Sequence, residues 1–288
     1  MPTLNLIGAG RAGQTLAKLW RLQHQLTVQA VVCQSLGHAG DAVSFIGAGQ
    51  AGDSLNSLPA ADLWLIATPD SQIGPVASHL AKAGVQGKVA LHLSGSLDHS
   101  ALSALAGCGL ALASVHPICS FADPRVTCTT FPGTVCGVEG QPQALTTLRP
   151  LFEAIGARWL PIDGQRKALY HAASVMACNY LVTLTDAALQ CLAKAGIPSG
   201  QGLPALLPLL QGTLDNLQQL PPAEALTGPI ARSDQPTIDR HLQALQQDMP
   251  HLLPAYQSLG ELTVRLADHR LTLAAREVLL ATLKSNKP

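Results

Sequence analysis

The stretch LNLIGAGRAGQTLAKLW, residues 4–20, decides how the rest of the chain is read. A short apolar run, Leu4 to Ile7, enters Gly8, Gly10 and Gly13, and Leu16, Ala17, Leu19 and Trp20 follow at helical spacing. Strand, glycine turn and helix in that order form the context in which G-x-G-x-x-G binds a dinucleotide. Each glycine has its own task. Gly8 makes the tight turn, Gly10 lets the backbone approach a pyrophosphate, and Gly13 lets helix and strand pack together. The helix N-terminus, starting at Arg11 and Ala12, then offers unpaired N–H groups and a partial positive charge to the phosphates.

The same spacing recurs as GAGQAG at 47–52. Only Ser44 to Ile46 precede this copy, and Asp53, Asn56 and Pro59 follow it without an amphipathic helix. It reads as a small-residue connection in the second crossover, not as a cofactor turn.

Composition narrows the class. At 288 residues the chain holds one large domain or two ordinary ones, and 47% hydrophobic content with 3% aromatic gives cores of Leu, Ala and Val. A net charge of +0 lacks the basic surface that nucleic acid requires. The seven cysteines are scattered and contain no C-x-x-C, which suits reduced thiols in a cytoplasmic protein. The chain enters a strand at once, so no signal peptide is expected. The uncharged stretch 101–115 is too short and too broken to span a bilayer, so no membrane partner is expected.

Beyond the glycine turn, β-rich runs at 27–33, 62–68, 88–93 and 110–115 alternate with helical segments. Short strands at 134–138 and 158–161 flank a helix at 142–155. The pattern predicts an α/β chain: an N-terminal Rossmann domain, residues 1–162, built on a doubly wound parallel sheet. Residues 163–288 show no strand signal and predict a C-terminal all-helical domain for substrate binding and dimerisation. Its first element reads as one long helix, 166–195. Ligands of such sheets bind beyond the carboxyl ends of the strands, where Gly8–Gly13, Ser35, Thr68, Pro69, Ser94, Gly95, His116 and Ser120 all fall. The second strand ends in Cys33, Gln34 and Ser35, without the acid that takes the ribose 2′-OH of NAD. NADP is therefore the expected cofactor, with Ser35, Arg11 and His38 as candidates for its 2′-phosphate.

On the long helix Lys167 and His171 are four apart and share a face, and Asn179 continues that row. A lysine or histidine there can donate to a carbonyl oxygen as hydride arrives. The alternative is a solvated lysine at a helix start with His171 and Asn179 as satisfied interior polar groups. In LTGPIARSD, residues 226–234, Arg232 is a candidate anchor for a substrate carboxylate, while Ser233 or Asp234 could equally cap a helix. His92 and His116 end strands but have no partner at metal-ligand spacing, so no metal site is expected.

Taken together, GAGRAG, ATPDSQI, HLSGSL, SVHPICSFADP, KALYHAASVMACNYL and LTGPIARSD resemble a bacterial Rossmann-like family with a C-terminal helical domain of formerly unknown function. The resemblance covers nearly the whole chain. That family is similar to ketopantoate reductases, pyrroline-5-carboxylate reductases and deazaflavin-dependent NADP oxidoreductases. The resemblance implies NADP-linked reduction of a small oxo or imino acid, ketopantoate among them. β-Hydroxyacid dehydrogenase relatives carry G-x-x-K-x-x-x-N with a catalytic lysine. Here the positions are Gly164, Lys167 and His171, so histidine stands where asparagine is expected. The expectation is an NADP-dependent oxidoreductase acting as a homodimer. A non-catalytic NADP-binding redox sensor or scaffold, or an imine reductase, stands as the alternative.

Overall fold

The computed structural model describes residues 1–284. They fall into two compact units, Met1–Asn179 and the described residues from Tyr180 onward. The first unit alternates strands and helices in chain order: β1 (Thr3–Ile7), α1 (Arg11–Leu22), β2 (Thr27–Val32), α2 (Leu36–Ile46), β3 (Gln50–Gly52), β4 (Leu63–Ile66), α3 (Asp70–Lys82), β5 (Val89–His92), β6 (Ala111–Pro117), α4 (Pro124–Thr130), β7 (Val135–Gly140), α5 (Pro142–Ala154), β8 (Arg158–Pro161) and α6 (Lys167–Ala177). The sheet order is β3-β2-β1-β4-β5-β6-β7-β8. This is a Rossmann arrangement, and its topological switch point lies between β1 and β4.

The central strand β4 is apolar and fully buried because both faces of the sheet are covered there. Leu63 and Leu65 of β4 join Leu6, Leu16, Trp20, Leu91 and Phe152 on one face. Trp64 and Ile66 join Ile7, Leu80 and Leu102 on the other. Trp20 meets Phe152 edge-on at 5.1 Å and donates its indole N–H to the Leu151 carbonyl. Truncating a side chain such as Leu65, fully buried, to alanine should cost about 2–5 kcal/mol.

The sheet departs from the expected parallel pattern at one place. β7 pairs antiparallel with β6, and β8 then pairs parallel with β7. The register sets Pro117 against Cys136, so the connection through α4 begins and ends at the carboxyl edge of β6 and makes no crossover. That reversal places Glu139 opposite Ser114.

The expected boundary after residue 162 lies too early. The first unit runs on to Asn179 because α6 packs onto the sheet through Lys167, Tyr170 and His171. The expected single helix is also two: α6 stops at Ala177, Cys178 takes φ −112 and ψ −65, and α7 (Asn179–Lys194) begins afresh. No proline or glycine marks this break, so it is invisible in the sequence. By composition alone the stretch Gly164–Lys194 is long and apolar enough to cross a membrane. However, each helix in it falls short of the roughly 20 residues a span needs, and Lys167 is held in the first unit by an ion pair.

The second unit consists of most of α7 followed by α8 (Ser199–Gln219), α9 (Pro222–Ala225), α10 (Gln235–Asp248), α11 (Leu253–Leu266) and α12 (Leu273–Lys284). Its core gathers Ile230, Ile238, Leu242, Leu253, Val264, Leu279 and Leu283. Gly260 allows α11 and α12 to approach, since a Cβ there would lie 2.6 Å from Leu283.

Candidate active site

Gly8 takes φ +80, and a Cβ on it would lie 2.9 Å from the Ala67 carbonyl oxygen. A Cβ on Gly13 would lie 2.7 Å from that of Ala67, so any side chain there pushes α1 off the sheet. Gly10 differs: its Cβ direction is open, with only the Ala67 carbonyl near, at 3.9 Å. Gly10 opens α1 without a side-chain cap, and no acidic residue occupies the first turn. The first N–H groups of α1 are thus free for an anion.

A cavity of about 470 Å³ lies along this turn, lined by Gly8, Gly10, Val32, Gln34, Thr68 and Pro69 among others. Thr68 Oγ1 is buried there without a hydrogen-bond partner. An open glycine, uncapped amides and an orphaned hydroxyl fit the phosphates and ribose of a dinucleotide. Ser35 does not line this cavity. Its Oγ accepts the His38 N–H at 3.3 Å and caps α2, the ordinary task of a serine at a helix start. His38 and Asp53 do line it. Asp53 is not among the expected residues: the second glycine hexad reads as a plain connection, yet it holds the short edge strand β3, which carries Asp53 to the sheet's carboxyl edge.

A second cavity, of about 420 Å³, shares Gly10, Ala67, Thr68 and Pro69 with the first and adds Arg11, Ala12, Asp70, Ser94, Gly95, His116 and His171. Asp70 accepts hydrogen bonds from Ser94 Oγ at 2.7 Å and Ser96 Oγ at 2.9 Å. His116 and His171 meet edge-on at 5.2 Å. Gly95 is required beneath them, since a Cβ there would lie 2.2 Å from His171 Nδ1. That nitrogen is buried without a partner. Burial, helped by the positive fields of His171 and Lys167, pushes the pKa of His116 down to about 4.

Lys167 occupies another place than expected. It lines neither cavity and is only 1% exposed. Its Nζ donates to Ser114 Oγ and pairs with Glu139 Oε1 at 3.2 Å. Glu139 also accepts the His99 backbone N–H at 2.9 Å and bonds His99 Nδ1 at 2.6 Å. Burial lowers the pKa of Lys167, and Glu139 opposes that shift. Ser114 in turn lies 3.4 Å from both His92 Nδ1 and the Ser94 carbonyl. Burial pushes His92 down to about 4, so the ring is neutral. Its Nε2 lies 3.0 Å from the Asp98 carbonyl and its Nδ1 accepts the Ser94 N–H at 3.1 Å. The lysine therefore lies beneath the Ser94 loop and not at the mouth of the cavity.

The remaining expected residues lie outside both cavities. Asn179 is exposed at the start of α7, beyond the break that ends the helical row from His171. Ser120 is exposed past the end of β6. Arg232 is exposed in the second unit, in the turn Ile230–Arg232, while Asp234 caps α10 by accepting the Thr237 N–H at 3.2 Å.

Residues 134–263 match the family described as "Domain of unknown function (DUF2520)". No curated protein sequence matches the chain. Among solved structures, a protein from Thermotoga maritima is 23% identical with a TM-score of 0.72, over 92% of this chain and 98% of its own. Pyrroline carboxylate reductase from Plasmodium falciparum, solved with NADP bound, is 13% identical with a TM-score of 0.61, over 98% of each chain. An imine reductase from Pseudomonas is 20% identical with a TM-score of 0.58, over 98% of this chain and 92% of its own. Those similarities show the fold. It is an N-terminal Rossmann domain followed by a helical domain.

Proposed function

We propose that this chain is an NADP-dependent oxidoreductase that reduces a small oxo acid, with ketopantoate the first candidate. The observation that supports this best is the pair of adjoining cavities at the carboxyl ends of β1, β4, β5 and β6, sharing Gly10 and Thr68. In this reading the amides of Gly10, Arg11, Ala12 and Gly13 take the pyrophosphate, and Thr68 and Pro69 wall both cavities. His38 and the first amides of α2 take the 2′-phosphate. Bound NADPH supplies the hydride. His116, His171, Ser94 and Gly95 line the end where the carbonyl is held, and Arg11 is the cation there for its carboxylate. As the new C–H bond forms, the carbonyl π pair moves to oxygen, hydrogen-bond donors stabilise the charge, and a proton from water completes the hydroxyl. Lys167 contributes a fixed positive charge through Ser114.

One observation favours a second substrate class. The Asp70 carboxylate lines the same cavity and would stabilise a protonated C=N group, as in an imine or imino acid. Oxidation of NADPH, followed at saturating cofactor against 2-oxo acids including ketopantoate and against cyclic imines, separates the two. Cofactor binding with no turnover of any member would overturn both and leave a sensor or scaffold.

The seven thiols are free, in keeping with a cytoplasmic protein. The second unit leaves Leu181, Val182 and Leu184 of α7 and Leu207 and Leu209 of α8 exposed. We assign these faces to a homodimer, which sedimentation velocity tests.

A further inference from the structure

His116 brings a single donor to the second cavity, and which ring nitrogen carries it depends on Tyr170. The Tyr170 Oη lies 3.0 Å from His116 Nδ1 and 3.5 Å from the His116 carbonyl, with the two rings edge-on at 5.6 Å. Tyr170 is seated over Gly137, where a Cβ would lie 2.3 Å from Oη. The phenol has one proton and two acceptors within reach, of which Nδ1 is the nearer.

We infer that Tyr170 is a positioning residue: its phenol donates to His116 Nδ1 and so holds the ring in the tautomer that offers Nε2–H to the substrate. Two further observations agree. Burial holds the Tyr170 hydroxyl up at about 12, so it stays a donor throughout the working range. His116, pushed down to about 4, is neutral there and carries one ring proton. The nitrogen left without the tyrosine's bond then bears it. In the proposed reaction this neutral donor stabilises the oxygen or nitrogen that gains charge as hydride reaches carbon. No base inside the site has to be recharged between turnovers. The catalytic part of this inference rests on the oxidoreductase reading; the tautomer does not.

The test uses the full-length protein with 15N-labelled histidine. Long-range 15N–1H correlation spectra report the tautomer, and His116→Gln assigns the signals by their loss. The native protein is expected to show a single Nε2–H form of His116, and Tyr170→Phe to show averaged shifts of mixed tautomers. With a substrate from the panel, Tyr170→Phe is expected to lower kcat by about 10- to 100-fold, the loss when a histidine is deprived of its orienting partner, with KM nearly unchanged. A native Nδ1–H form, unchanged shifts in Tyr170→Phe, or unchanged kcat would each overturn the inference. If Tyr170→Phe does not fold, the native spectrum alone decides between the tautomers. Failure to find any substrate overturns the oxidoreductase reading but leaves the spectral result intact.

Discussion

GAGRAG at 8–13 and GAGQAG at 47–52 have the same spacing and opposite physics. The first leaves a central strand and opens α1. The second closes α2, with Gly47 in the left-handed region at φ +81, and leads into the edge strand β3. At Gly10 a side chain would enter open space beside a cavity. At Gly47 it would meet the Arg21 guanidinium at 3.2 Å, and at Gly49 it would meet Val28 at 3.0 Å and Val31 at 3.1 Å. One turn keeps backbone clear for a ligand; the other uses glycine to fold tightly against its own protein. What differs is what precedes and follows each turn, and the spacing alone does not carry that.

Breaking this contrast is most direct at Gly10. Gly10→Val is expected to weaken NADPH binding by about 100-fold or more, roughly 2.7 kcal/mol, while the unfolding midpoint stays at the native value. Fluorescence titration and a thermal melt on the same preparation read both. Loss of fold in this variant would show that Gly10 is a packing glycine like Gly49.

Gly13 should behave in the reverse way. Gly13→Val forces α1 away from Ala67 and is expected to cost about 1–3 kcal/mol of stability, measured by urea unfolding. Gly49 adopts φ +99, so Gly49→Ala is expected to cost about 1–2 kcal/mol, with NADPH affinity unaltered. Were Gly49→Ala to lose cofactor binding while stable, the two hexads would have exchanged roles.

The smallest effect sharpens the second hexad's own contribution. Asp53 follows β3 and lines the first cavity as an exposed carboxylate. Asp53→Asn is expected to shift the ratio of NADPH to NADH affinity toward NADPH by a few fold, about 1 kcal/mol or less for a solvated charge. Parallel titrations with the two cofactors measure it, and a shift toward NADH would remove Asp53 from the cofactor's surroundings.

Much of the first unit was legible because its determinants are local. Period, β-branched runs and glycine position are visible in short windows, and they mark the central strands and the glycine turn that opens α1. The polar interior was not local. Glu139 sits in a short strand, VCGVEG, with nothing around it to suggest a role, and it matters only because an antiparallel pairing sets it opposite Ser114. Lys167, which the sequence offers as a donor at the cleft or else as a solvated helix start, is buried against that carboxylate instead. The break at Cys178 likewise comes without a breaker residue. Pairing across the sheet decided these features, and the sequence reading had no access to it.

The ion pair between Lys167 and Glu139 also bears on where the chain can be cut. A fragment ending at residue 162 would contain the whole sheet, yet it would remove Lys167 from the buried Glu139 and leave that carboxylate only its His99 partner, which buried charges tolerate poorly. A fragment carried on to Asn179 brings its own cation. By the same logic α6, the last helix of the first unit, is also the last staple of that unit.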